Sequence, residues 1–145
     1  SPRMRLDVSV NMLTMQALTS KKITVFGGQQ TRPNIYIKDM ISVYEHFINN
    51  PDIDEGCYNA GFENISILEI ANQVKERIPC EIIVSESNDI RSYRQNSDKL
   101  ILTGFRQEFS IKDAIDEIIE KYNNGTLKDK DEFYTIKTMR KILGI

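Results

Sequence analysis

Five arginines stand in stretches that read as loops. Arg3 and Arg5 precede the first amphipathic run, Arg32 follows a glycine turn, and Arg91 and Arg94 lie inside the polar run "SESNDIRSYRQNSDK". A guanidinium is a planar fork of donors that matches phosphate and carboxylate oxygens, so several converging on one crevice would suit a diphosphate. Phe26 ends the apolar run "ITVF", where a ring can stack on a nucleobase, and Tyr36 and Tyr93 offer hydroxyls. A plainer role stays open for each: solvated or acid-paired arginines, a core-packed Phe26, a half-buried structural Tyr36.

Nucleophilic and metal chemistry find no comparable set. No G-x-S-x-G elbow occurs, and the one histidine, His46, lies mid-helix in "VYEHF" beside no nucleophile. Cys57 and Cys80 are far apart without C-x-x-C spacing, so neither a zinc site nor a disulfide framework is expected, and a reducing cytoplasm fits best. Neither G-x-x-x-x-G-K-[ST] nor G-x-G-x-x-G occurs, and "FGG" alone makes no phosphate cradle.

The elements that must position the arginines follow from periodicity. Leu6, Val10, Leu13 and Leu18 recur at helical spacing through "RLDVSVNMLTMQALT", "ITVF" reads as a strand, "GGQQT" as a turn, and "NIYI" as a second extended run. "KDMISVYEHFINN" reads as a helix with Asp39 capping its start, and "GCYNAG" as a brief buried strand. Ser66 and Glu69 form a capping-box pair ahead of a helix that Pro79 stops, and "EIIV" is another strand. Ser97 caps a short helix ending at Gly104, Ser110 with Asp113 opens another that Asn124 and Gly125 close, and residues 126–145 read as a helical tail. Strands and helices alternate, but four short strands make only an incomplete sheet.

A chain of 145 residues, with 40% apolar and 28% charged residues, has the composition of one ordinary globular domain. The formal net charge of -2, with both signs interspersed, argues against nucleic acid as a partner. No apolar run approaches the roughly 20 residues of a membrane span, and no membrane partner is expected. The opening "SPRMRLDVSV" reads as an excised piece of a longer chain.

Four stretches, "SPRMRLDVSVNML", "ITVFGGQQTRPNIYIKDM", "CYNAGFENISILEIANQV" and "DIRSYRQNSDKLILTGF", stand in an order that resembles the C-terminal half of NAD-dependent sugar-nucleotide epimerases and dehydratases, the extended short-chain dehydrogenase/reductases. The resemblance spans residues 1 to about 122. It implies an α/β fold, the C-terminal portion of a Rossmann-type enzyme with an incomplete parallel sheet, in which "YNAG" is a strand of the cofactor-binding sheet. It implies that Thr24 and Phe26 line the base or ribose, that Arg32 binds the diphosphate, that Tyr93 lies near the sugar nucleotide, and that Arg5 and Leu6 approach substrate. The family's second phosphate-binding arginine falls near Glu86 here, leaving Arg91 as its replacement. The resemblance further implies a nucleotide-diphosphate sugar as partner, NAD held mainly by an N-terminal half absent from this chain, no metal, and a homodimer when intact. The family's Y-x-x-x-K pair does not occur: Tyr122 is followed by Thr126 and Tyr134 by Thr138 at the fourth position. The chain alone should therefore bind substrate within an intact enzyme without performing hydride transfer. A non-catalytic nucleotide- or protein-binding descendant is the alternative.

Overall fold

The computed structural model describes residues 4–89 and 91–144; Arg3 lies outside the described residues. In chain order the elements are α1 (Ser9–Ser20), β1 (Lys22–Phe26), β2 (Thr31–Asn34), α2 (Ile37–Asn49), β3 (Glu63–Ser66), α3 (Ile67–Arg77), β4 (Glu81–Ser85), α4 (Asp98–Ile101), α5 (Ile111–Asn123), a 3-10 turn (Asp131–Phe133) and α6 (Thr135–Leu143). β1 and β4 pair in parallel with Phe26 opposite Ser85, while β2 and β3 pair antiparallel with Thr31 opposite Ser66. The sheet is therefore a short parallel pair beside a short antiparallel one, and the chain is mixed α/β.

The main core forms where apolar faces meet across α1, β1, α3 and α5. Leu13 and Ala17, Ile23 and Val25, Ile70 and Val74, and Ile115 are buried together. Alternation along β1 sends Ile23 and Val25 inward and leaves Thr24 half-buried and Phe26 58% exposed on the other face. Both capping boxes expected from sequence form: Ser66 with Glu69 opens α3, and Ser110 with Asp113 opens α5. In each the hydroxyl accepts an orphan N–H and the acid returns the bond to the cap's own N–H.

Several local expectations are corrected. The second strand is Thr31–Asn34, not 34–37, so Arg32 lies within a strand and Ile37 already begins α2. Tyr36 is the residue before that helix and is buried, not a strand position. Asp39 does not cap: it sits inside the first turn, fully buried, and accepts from the backbone N–H groups of Glu108 (3.0 Å) and Phe109 (3.1 Å). "GCYNAG" forms no strand among the described residues; the strand falls two residues later, at Glu63–Ser66, where β2 supplies the ladder. The Ser97 hydroxyl bonds both the N–H and the C=O of Gly61 rather than capping α4. The first helix begins at Ser9, beyond Leu6, and within the tail only Thr135–Leu143 is α-helical.

Candidate functional site

The arginines are best followed from the sheet outward. β1 and β4 are parallel and end together at Phe26 and Ser85, where Gly27 N–H donates to the Ser85 carbonyl (2.8 Å). In open α/β sheets, ligands gather outside the carboxyl ends of the strands. The two connections leaving this edge are "GGQQ", which leads into β2 and its Arg32, and the loop after Ser85, which carries Arg91 and Tyr93.

Gln30 organises the first connection. Its side chain accepts from Gly28 N–H (2.6 Å) and donates to the Phe26 carbonyl (2.6 Å), closing a tight loop that returns the chain into β2. Gly28 takes φ +99°, and a Cβ there would stand 3.1 Å from Val25 Cγ1 and 3.3 Å from Leu68 Cβ, so the turn needs glycine for both reasons. The second connection is fastened to β2 through Thr31, whose N–H donates to Ser92 Oγ (3.0 Å) and whose carbonyl accepts from Tyr93 N–H (3.0 Å).

This fastening brings Arg32, Asp89, Arg91 and Tyr93 together. The Arg32 guanidinium lies over the Tyr93 ring, 5.0 Å from its centroid, and Nη1 donates to the carbonyls of Thr31 (2.9 Å) and Arg91 (2.6 Å). Its Nη2 approaches Asp89 at 3.6 Å. Arg91 grips Asp89 with both arms of its fork, Nε to Oδ1 at 2.7 Å and Nη2 to Oδ2 at 2.8 Å. Arg91 side-chain and backbone donation, with Arg32 close by, holds the Asp89 carboxyl down at about 2, and Asp89 in turn raises Arg91 further above its ordinary range. The Arg32 side chain is 23% exposed and that of Arg91 is 69% exposed, and Asp89 contacts both. The cluster can hold a doubly charged oxyanion group beside an exposed aromatic ring.

The remaining expected residues are placed differently. Thr24 shares the outer face of β1 with Phe26, and its N–H donates to Gln16 Oε1 (3.0 Å). Leu6 is fully buried with Met15, Ile118 and Leu127, and its N–H donates to the Phe133 carbonyl (2.9 Å). Arg5 pairs with Asp7 at 2.9 Å, and that pairing, together with the Thr135 N–H, holds Asp7 down at about 2. None of the described contacts joins Arg5 or Leu6 to the Arg32 cluster. Asp89 and Ser92 were missed by sequence reasoning, although the Asp-x-Arg spacing of Asp89 and Arg91 is a local signal for such a pair. His46 donates to or accepts from Thr103 Oγ1 (2.8 Å) and meets Phe47 and Phe105 edge-on, a packed position.

No family model matches the chain. The uncharacterized UDP-glucose epimerase YtcB of Bacillus subtilis (strain 168) is 32% identical over 77 residues, which is 52% of this chain and 24% of that protein. Among solved structures, TunA, an NAD-dependent NDP-hexosamine 5,6-dehydratase involved in tunicamycin biosynthesis, superposes with a TM-score of 0.70 at 22% identity, covering 86% of this chain and 42% of that one. UDP-N-acetylglucosamine 4-epimerase from Bacillus cereus gives 0.68 at 20% identity, covering 87% and 43%. dTDP-glucose 4,6-dehydratase from Bacillus anthracis str. Ames, in complex with NAD, gives 0.69 at 18% identity, covering 92% and 43%. The chain thus spans less than half the length of the relatives it matches. Its fold is that of part of TunA, of the Bacillus cereus 4-epimerase and of the Bacillus anthracis 4,6-dehydratase, and 77 of its residues are similar in sequence to part of YtcB.

Proposed function

We propose that the chain binds the nucleoside diphosphate of a sugar nucleotide, as the substrate-holding part of an NAD-dependent epimerase or dehydratase. The observation that carries this is the convergence of Arg32 and Arg91, with Tyr93, on the segments that follow β1 and β4. Arg32 and Arg91 are the diphosphate contacts, Phe26 and Thr24 face the base and ribose, and Tyr93 supplies a ring and hydroxyl next to the sugar side. Arg5 and Leu6 contribute indirectly, by fixing the entry into α1.

The sequence has neither a G-x-G-x-x-G loop nor a Y-x-x-x-K pair. NAD, when bound by the other half of the enzyme, supplies hydride acceptance and return. This chain holds and orients, which is how binding to the remote diphosphate and base is converted into positioning of the reacting sugar carbon.

The same reading accounts for an apolar stripe. Ile37, Ile41, Tyr44 and Ile48 recur along one face of α2 and are 63%, 51%, 66% and 77% exposed. Beside them an open groove of about 600 Å³ is lined by Met40, Val43, Phe47 and Tyr58. Exposed apolar surface of this extent marks a contact face, and the occupant we infer is the NAD-binding half of the same enzyme.

The test is titration with UDP, dTDP, GDP and CDP sugars followed by calorimetry. Arg32→Ala should lose at least about tenfold in affinity, the worth of a charge-assisted bond, whereas exposed Lys128→Ala should change nothing. Equal affinity of Arg32→Ala and wild type for every nucleotide sugar overturns the reading.

A further inference from the structure

Among the described residues, Asp89 is the acid that touches both arginines of the cluster, and no step of the proposed binding assigns it a role. Its carboxylate takes three hydrogen bonds from Arg91: Nε (2.7 Å) and the backbone N–H (3.1 Å) at Oδ1, and Nη2 (2.8 Å) at Oδ2. The same Oδ2 stands 3.6 Å from Arg32 Nη2. Asp89 is itself fixed from behind, its N–H donating to Ser87 Oγ (3.1 Å). Two guanidinium groups drawn to one carboxylate repel each other, and Arg91, 69% exposed on a polar loop, would have many solvated rotamers available without it.

We propose that Asp89 is a positioning residue: it offsets the mutual repulsion of Arg32 and Arg91 and holds the Arg91 guanidinium in one arrangement, so that an incoming diphosphate meets two cations already in place. The proposal rests on the reading of the cluster as a diphosphate clamp. Arg32 is held independently, by the Thr31 and Arg91 carbonyls and by stacking on Tyr93, so Asp89 acts chiefly through Arg91. Its carboxylate carries charge across the whole neutral range, since it loses its proton near 2. The arrangement is thus present before ligand arrives, and the ordering of Arg91 is not charged against binding.

The experiment is a double-mutant cycle on the 145-residue chain, with UDP, dTDP and GDP titrated in turn. Asp89→Asn should weaken the tightest of the three about tenfold, and in an Arg91→Ala background the same change should cost less than about twofold, because the residue through which it acts is gone. Asp89→Glu, which keeps the charge, should recover most of the affinity. A readout independent of ligand accompanies these: the side-chain Nε–H signal of Arg91 in an NMR spectrum should be sharp and slowly exchanging in wild type and lost in Asp89→Asn. Additive losses in the cycle, or an Asp89→Asn affinity within twofold of wild type while Arg32→Ala loses binding, overturn the positioning role alone. Unchanged affinity in Arg32→Ala overturns the clamp and this inference together.

Discussion

Replacing Asp39 tests how the candidate site is tied to the rest of the chain. Asp39 is fully buried in the first turn of α2, and its two oxygens accept from the consecutive N–H groups of Glu108 and Phe109 at 3.0 and 3.1 Å. Around it Tyr36 packs on Phe109 with ring centroids 5.1 Å apart, and the Tyr36 hydroxyl donates to Glu117. Asp39→Ala removes two charge-assisted bonds and leaves two N–H groups without an acceptor, at about 1.5–2 kcal/mol each, so a loss of about 3–4 kcal/mol is expected. At about 4 °C per kcal/mol for a chain of this size, the melting temperature should fall by about 12–16 °C. Asp39→Asn keeps one acceptor but turns an amide donor toward an N–H, and should fall between. The assay is thermal unfolding followed by far-UV circular dichroism, with Asp113→Ala as a comparison because that acid serves a single exposed helix start. An Asp39→Ala melting temperature within about 3 °C of wild type would refute the reasoning, since two lost bonds to a fully buried carboxylate cannot be that cheap.

Three further outcomes are expected. Gly28→Ala should cost about 1–3 kcal/mol in a urea unfolding series, because the residue has φ +99° and its new Cβ meets Val25 and Leu68; Gly125→Ala, also at positive φ but with open space around it, should cost less. Tyr134 is pushed up to about 12 by burial, by its bond to Asp129 (2.9 Å) and by nearby acids. An absorbance titration should show a tyrosine ionising near 12, and Tyr134→Phe should remove that step. The Tyr134 pKa is raised on folding, so its contribution to stability is complete below about pH 10 and lost as pH rises through about 12. Ile41→Lys with Ile48→Lys should lower dye binding to exposed apolar surface and reduce self-association in sedimentation; unchanged association would remove α2 as the contact face.

How much of this was legible in the sequence divides along the range of the interactions. The two capping boxes were readable because Ser66 with Glu69, and Ser110 with Asp113, lie within one helical turn of each other. "ITVF" and "EIIV" were readable because apolar strands that pair in parallel face the core almost by composition. β2 was not: "TRPN" has no alternation and contains Pro33, and it is a strand only because Glu63–Ser66 pairs with it. "GCYNAG" has the composition of a strand, and no partner for it stands among the described residues. Asp39 and Ser97 have the residue types of caps, but bonds to Glu108, Phe109 and Gly61 claim them, and such long-range claims leave no local trace. Of the candidate site, Arg32, Arg91 and Tyr93 could be singled out by residue type, but Arg32 was read as a loop residue and stands in β2. What held them together, Asp89 and the Thr31 fastening, depended on register.

That Arg32 lies in a strand rather than in the turn before it changes what it can do. In a turn, its backbone would be free to adjust around a ligand and the cost of fixing it would fall on binding. In β2 its backbone is laddered opposite Ile65, its guanidinium is fixed by two carbonyls, and its face is stacked on Tyr93. Folding has already met that cost through the ladder and the Thr31 fastening, so Arg32 supplies a charge fixed by the sheet and Arg91 one fixed by Asp89. If the cluster binds diphosphate as proposed, substitutions in the loop that carries Arg91 and Tyr93 should alter which nucleotide sugar is accepted, and substitutions in β2 how tightly any of them is held.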